Sequence, residues 1–423
     1  MGEAKALLEA QPARSEVGLK PSLTLTHAVL YGLGVTIGAG IYVLIGAAAA
    51  RAGMHAPLAF VAAAILMGFT AASFAELATR MPVAAGEAAY VREAFQSERL
   101  SLAVGGLVIV IAVVSGAAIS VGSAGYIRVF IDLPEPIILT VVVLSMGVIA
   151  AWGIQESAAF AGAMTLIEVG GLLLLVFAGA FSEPDLIRRL PEILMPASSA
   201  TLIGFISAAH LAVFAFIGFE AIVNVAEEMH EPKRTLPRAI FLTLALATLL
   251  YVAVVWVALV AVQPAELGAS EAPLALVFER LTGISPYTMS LIAIVATLNG
   301  IIVQIILASR VFYGLARLGS LPAAFQKVST VTRTPLLATA VAVAVVLALA
   351  LLLPLEQLAD LTSRFTLIMF ALINLALIRI KRREPEPPRN VYVAPFWMPW
   401  AGLVSCVVLL IADLIAILMS VSL

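Results

Sequence analysis

Long stretches of apolar residues, unbroken by charge, constrain this chain more than any other feature of its sequence. Eleven can be marked, at roughly 27–50, 55–80, 100–131, 135–154, 159–181, 201–228, 237–262, 286–316, 334–354, 357–380 and 396–420. About 20 apolar residues suffice for a helix to cross a hydrocarbon core of about 30 Å. Helices and closed barrels are the two ways to satisfy the backbone in lipid, and the runs lack the alternation of barrel strands, so they read as helices. Composition agrees. Of 423 residues, 62% are hydrophobic and 12% charged, about half the charge of an ordinary soluble surface. A soluble enzyme and a disordered chain are therefore excluded. A formal net charge of −2 offers no basic surface for nucleic acid. The one cysteine, Cys406, forms no internal disulfide or multi-cysteine metal site. The expected fold is all-α and polytopic.

Orientation follows from the basic residues in the connections. With the N-terminus inside, the tail and the inner connections carry 18 of the 24 Lys and Arg; Arg51, Arg128, Arg188, Arg189, Arg280 and Arg364 are outside. Eleven spans then put the C-terminus outside. Residues 1–24 read as a cytoplasmic tail, and 86–98 and 271–283 as short helices at the interface or over the mouth. The basic, proline-rich stretch 381–395 reads as a hinge before a peripheral last span, 396–423.

Two spans should not be continuous helices. Span 1 holds Gly32, Gly34, Gly38 and Gly40 within nine residues, each costing about 1 kcal/mol of helix propensity relative to alanine. Small residues also let membrane helices approach closely, so a packing face is the competing reading. Span 6 runs Phe214-Ala-Phe-Ile-Gly218-Phe219-Glu220, a glycine and then a carboxylate at mid-span, where an ionisable group is costly and faces a cavity or a partner. Spans 1 and 6 open two five-helix halves, 25–181 and 201–380, joined by 182–200. Five is odd, so the halves run inverted. Broken helices at matching positions of inverted halves mark a secondary transporter's central site. Freed N–H groups there suit a carboxylate and freed carbonyls an ammonium, and a zwitterionic amino acid presents both.

These residues resemble the amino acid–polyamine–organocation transporters, and within them the bacterial amino acid permeases. The resemblance spans about 24–400. It rests on Gly38-Ala39-Gly40-Ile41, on Phe74-Ala-Glu76-Leu77 with Pro82 and Gly86, and on Phe216-Ile217-Gly218-Phe219-Glu220 followed by Glu231 to Arg238. Ser309-Arg310 and Gly314-Leu-Ala-Arg317 complete it. It implies a LeuT-like fold of 5+5 inverted repeats working by alternating access in the cytoplasmic membrane. The substrate carboxylate would meet the backbone at Gly38, Ala39 and Gly40, with Ile41 following. The ammonium would meet carbonyls near Thr36 and from Phe214 to Ile217, and Phe214 and Phe216 would close the site from outside. Members often have twelve spans, and many have a second glycine where this chain has Glu87.

Glu168, mid-span 5, reads either as a coupling carboxylate or as a protonated glutamate acting as structural glue, with sodium ligation a third role. Low dielectric disfavours a carboxylate's charged form, which suits a proton carrier. For Glu220 the resemblance favours a gate or proton sensor, with plain packing the alternative. Asn299 and Thr297, mid-span 8, are possible substrate or ion contacts, or polar glue between helices. Glu76 and Arg80 read as a structural i,i+4 pair, and His210 as a satisfied buried histidine, with a pH-responsive role the alternative. Asp413 offers only a helix–helix contact. No nucleophile or metal constellation suggests an enzyme. The sequence thus points to a secondary transporter without cofactor, its coupling ion a proton or, in the alternative, sodium. An exchanger and a ligand sensor without transport are the other readings. The apolar side chains around the breaks (Val35, Ile41, Phe214, Phe219) favour small neutral or apolar amino acids.

Overall fold

In a computed structural model the described residues are 23–38, 40–81, 86–152, 158–194, 199–317, 319 and 321–421; within them the side chains of 158–161, 199–200, 224–225, 227–228, 417 and 419–421 are not described. Among the described residues the chain is helical, with no strand beyond an isolated bridge between Leu23 and Met229. The 1–24 tail lies almost wholly outside them.

The first predicted span is two helices, α1 (Leu25–Ile37) and α2 (Gly40–Ala52). Thr24 starts α1 by accepting a hydrogen bond from the His27 N–H, the use expected of an N-cap threonine. Gly53, at φ +56°, turns the chain into α3 (Ala56–Arg80). Then come the short α4 (Gly86–Phe95) and four long elements: α5 (Glu98–Arg128), α6 (Glu135–Trp152), α7 (Ala158–Ser182) and α8 (Ser199–Phe216). After α8 the chain breaks at Gly218 and continues as a 3₁₀ segment, Phe219–Glu228. Helices α9 (Pro232–Ala261), α10 (Pro264–Ala269) and α11 (Pro273–Thr282) each begin with proline, whose missing N–H costs nothing in a first turn. Last are α12 (Tyr287–Arg317), α13 (Leu336–Leu352), α14 (Leu355–Arg383) and α15 (Trp397–Val421). The element order reproduces the eleven predicted runs, and α4 and α11 fall on the two short segments expected at the interface. Among the described residues nine helical stretches are long and apolar enough to cross a membrane alone; Leu25–Ile37 and Leu336–Leu352 are shorter apolar helices.

Inside the bundle α12 lies along α5, α9 along α3, and α8 against both α2 and α3. Buried polar groups join helices where lipid-like interiors leave them no water. Asn374 on α14 donates to Thr70 at 2.9 Å and accepts from Ser73 at 2.7 Å, tying α14 to α3. The outward faces carry exposed apolar side chains such as Val141 and Val148 on α6 and Val404, Ile411 and Leu418 on α15, a surface suited to acyl chains.

Two charge clusters hold the periphery. Glu76, fully buried, accepts from Arg80 Nη2 at 2.8 Å, sits 2.7 Å from Lys381 Nζ and accepts from the Ala394 N–H at 2.8 Å. More than a local pair, it clamps both ends of the 381–395 stretch to α3. At the far end of the bundle, Arg51 of α2 meets Asp360 at 2.8 Å and Glu356 at 3.3 Å. Arg364 meets Asp413 at 2.6 Å. His210, on α8, has its Nδ1 3.6 Å from a carboxylate oxygen of both Asp360 and Asp413. This gives Asp413 its role: it fastens α15 to α14 beside α8. The last span, α15, packs on α14, α3 and α8 along one face and leaves Val404, Ile411 and Leu418 exposed on the other. Gly402 permits this packing, for a side chain there would begin 2.5 Å from Asn374.

Candidate functional site

The two helix breaks face and interlock. Gly218 has φ +129°, a conformation open to glycine, and a Cβ there would sit 2.8 Å from the backbone of Val35 and Thr36. Reciprocally, a Cβ on Gly40 would sit 2.5 Å from Ala215 Cα. Close packing and helix breaking, alternatives in the sequence, are one feature here: each break is pressed against the other's backbone. It follows that a Gly40 substitution disturbs packing as well as any ligand site.

Carbonyls in the last turn of a helix lack an intrahelical donor. Here Thr36 near the end of α1 and Ala215 near the end of α8 share one. The buried Tyr251 hydroxyl of α9 donates toward both, 2.8 Å from the Thr36 oxygen and 2.9 Å from the Ala215 oxygen. Tyr251 in turn packs on Phe60 and Phe216. No sequence pattern singled it out, since an aromatic in an apolar run is ordinarily core.

Between the breaks lies a cavity of about 20 Å³, room for about one water. Val35, Ile119, Phe214, Ile217 and Val303 supply its apolar wall; Thr36, Ser115 and Gln304 are its polar side chains. Gly34, Gly40 and Gly300 complete it. Thr36 Oγ1 and Gln304 Oε1 are buried without a hydrogen-bond partner among the described residues. Among the described residues no charged side chain lines it.

Of the residues singled out in sequence, Gly34, Val35, Thr36, Gly40, Phe214 and Ile217 meet at this cavity. Gly38 and Gly218 sit at the breaks, and Ala39 lies outside the described residues. Ile41 is buried off the cavity wall. The Phe216 side chain turns away from it onto Phe60 and Tyr251. Ser115 and Ile119 from α5 and Gly300, Val303 and Gln304 from α12 were missed. Only folding brings α5 and α12 to the breaks, though Gln304, a second amide after Asn299 in an apolar run, was a signal.

The carboxylates stand behind the cavity. Glu168, fully buried, accepts from Asn299 Nδ2 at 3.1 Å, and its backbone carbonyl accepts from the Tyr42 hydroxyl at 2.7 Å. Its Oε2 lies 3.8 Å from where a Gly38 side chain would begin, so it backs the first break directly. Glu220 turns back on its own segment, accepting from the Gly218 N–H at 2.9 Å, and so holds the second break. Thr297 donates to carbonyls of its own helix, Ala293 at 2.8 Å and Ile294 at 3.0 Å.

The sequence profile of the family described as amino acid permease matches residues 23–422. The chain belongs to that family. Its architecture is accordingly that of the amino acid–polyamine–organocation superfamily, a multi-pass membrane protein with discontinuous helices. The branched-chain amino acid permease BcaP of Bacillus subtilis (strain 168) is 30% identical over 398 residues, 88% of this chain and 84% of that protein. The methylthioribose transporter of the same organism is 27% identical over 408 residues, 90% of this chain and 86% of that protein. Cationic amino acid transporter 2, vacuolar, of Arabidopsis thaliana is 27% identical over 393 residues; the match covers 87% of this chain and 61% of that longer protein. These relatives are named as a permease and as transporters.

Proposed function

We propose that the protein is a secondary active transporter of small neutral or apolar amino acids, coupled to protons and working by alternating access in the cytoplasmic membrane with its N-terminus inside. One observation carries the substrate class: among the described residues the cavity wall is uncharged and mostly apolar, with two polar side-chain atoms unpartnered. Two of the three N–H groups of an amino acid's ammonium would meet Thr36 Oγ1 and Gln304 Oε1, and the third one carbonyl from Thr36 or from Phe214 to Ile217. The carboxylate meets the N–H groups opening α2 at Gly40, and the side chain lies against Val35, Ile119 and Val303. Arginine or a polyamine would bring a second cation to a wall without a carboxylate. Given the relative named as a branched-chain amino acid permease, valine, leucine and isoleucine come first.

At about 20 Å³ the cavity is too small for any of these, so it must widen. Phe214 and Ile217 adjoin the Gly218 hinge, where a change in backbone angles moves them least expensively. In this reading the halves 25–181 and 201–380 rock about the interlocked breaks. Glu168, backing the first break with Asn299 as its donor, carries the proton, and Glu220 acts as the gate.

Uptake into proteoliposomes tests the proposal. Labelled leucine should accumulate when the lumen is alkaline, and Glu168→Gln should keep counterflow while losing accumulation driven by pH. Accumulation that needs a sodium gradient and ignores pH transfers the coupling to sodium. Binding without accumulation or counterflow overturns transport, and competition chiefly by lysine or arginine overturns the substrate class.

A further inference from the structure

At the basic end of the bundle, where the broken helix passes into α9, a groove of about 1160 Å³ opens sideways. This exceeds the usual range of about 300–1,000 Å³ for small-molecule pockets. One wall is the first turns of α9, the other Asn390, Val391 and Tyr392 of the 381–395 stretch. Lys233, Arg234 and Arg238 line it, with Glu231 the one acid among the described side chains. Arg234 is paired with Glu231 at 3.7 Å, both exposed. Neither Lys233 nor Arg238 has an ion-pair partner among the described residues. Immediately beyond the charges the groove turns apolar, at Phe241, Leu242 and Ala245.

The apolar surface then continues along α9. Leu242, Leu246 and Leu249 are 43%, 44% and 70% exposed, and with Arg238 they fall at i, i+4, i+8 and i+11, one stripe of the helix. At 1.5 Å per residue, Arg238 and Leu249 are about 16 Å apart, about half a hydrocarbon core of about 30 Å and so the depth of one leaflet. Cations at the top of a leaflet-deep apolar stripe match one chemistry: a phosphate esterified to a molecule with acyl chains. We propose that this groove binds an anionic phospholipid, its phosphate held by Lys233 and Arg238 and one acyl chain lying along Leu242, Leu246 and Leu249. The N-terminal end of α9, with its positive dipole, adds to the field there.

The position ties such a lipid to the working parts. The His230 N–H donates to the Leu23 carbonyl at 3.0 Å, so the groove's near edge joins the entrance of α1 to the end of the second break. The Tyr392 N–H donates to Thr79 at 3.2 Å, and its ring meets Phe241 at 5.8 Å. A bound lipid therefore bridges α9 to the stretch clamped by Glu76.

The test is binding by the whole purified protein, read by native mass spectrometry, with thermal stability in vesicles as the second measurement; neither depends on transport. Vesicles of phosphatidylcholine alone are compared with vesicles containing phosphatidylglycerol as the minor component. Wild-type protein should retain phosphatidylglycerol and melt higher in its presence. Each basic residue near an anionic surface contributes about 1 kcal/mol, so Lys233→Gln with Arg238→Gln should weaken phosphatidylglycerol binding roughly 30-fold. Single Arg238→Gln should fall between. Arg92→Gln, an exposed cation outside the groove, should leave the preference unchanged. Equal retention by the double variant, an equal loss in Arg92→Gln, or the same stabilisation by glycerol phosphate without acyl chains would each overturn the lipid site.

Discussion

Removing one buried hydroxyl should change how often the central cavity opens. Tyr251→Phe keeps the ring packed on Phe60 and Phe216 and deletes the donor shared by the Thr36 and Ala215 carbonyls. A hydroxyl has one proton, so a single hydrogen bond is lost, although its two acceptors lie within 0.1 Å of the same distance. Both carbonyls are buried in the closed arrangement, and a buried acceptor without a donor costs about 1–3 kcal/mol. When the breaks separate, water reaches the carbonyls and that cost disappears, so the penalty falls on the closed state alone. At about 1.4 kcal/mol per tenfold, the open fraction should rise by roughly 5- to 150-fold. The assay uses a Ser115→Cys reporter on the cavity wall with Cys406, the one native cysteine, changed to serine. The rate of maleimide labelling follows the open fraction. An unchanged rate in a monodisperse Tyr251→Phe protein would refute the idea that this hydroxyl holds the breaks together.

Three other outcomes follow from the packing. Glu76→Gln leaves Arg80 and Lys381 buried without their shared anion and should cost about 3–5 kcal/mol of stability, read as loss of monodisperse protein on heating; wild-type behaviour would contradict the clamp. Asp413→Asn unpairs a partly exposed Arg364, a smaller loss of about 1–2 kcal/mol once solvent screening is allowed for. It should speed proteolysis in the 384–396 segment, and an unchanged cleavage rate counts against it. Burial pushes the Glu87 carboxyl, on the short α4 outside the spans, above the ordinary carboxylate range. Between its unfolded and folded pKa the folded state holds a proton that the unfolded state releases, so stability falls as pH rises through that window. Glu87→Gln should therefore raise thermal stability at neutral pH and give no gain near pH 4 or below; a gain independent of pH would contradict the assignment.

The membrane class, the eleven apolar runs and both breaks were legible because each depends on local composition. A run of apolar residues must leave water whatever its neighbours are, and glycine at 38, 40 and 218 weakens a helix wherever it stands. The permease motifs were legible for the same reason, being short contiguous strings. Tertiary structure decided what those strings face. Tyr251 and Phe216 are aromatics in apolar runs, alike in sequence; packing makes one the donor between two helix ends and turns the other away from the cavity. Glu76 reads locally as a partner for Arg80, and only the return of the chain at Lys381 and Ala394, more than 300 residues later, makes it a clamp. Asp413 had no counterpart within reach of its own helix, and gained Arg364 once α15 packed on α14. A carboxylate's desolvation cost can be read from the run in which it lies, whereas the group that offsets that cost is chosen by which helices meet.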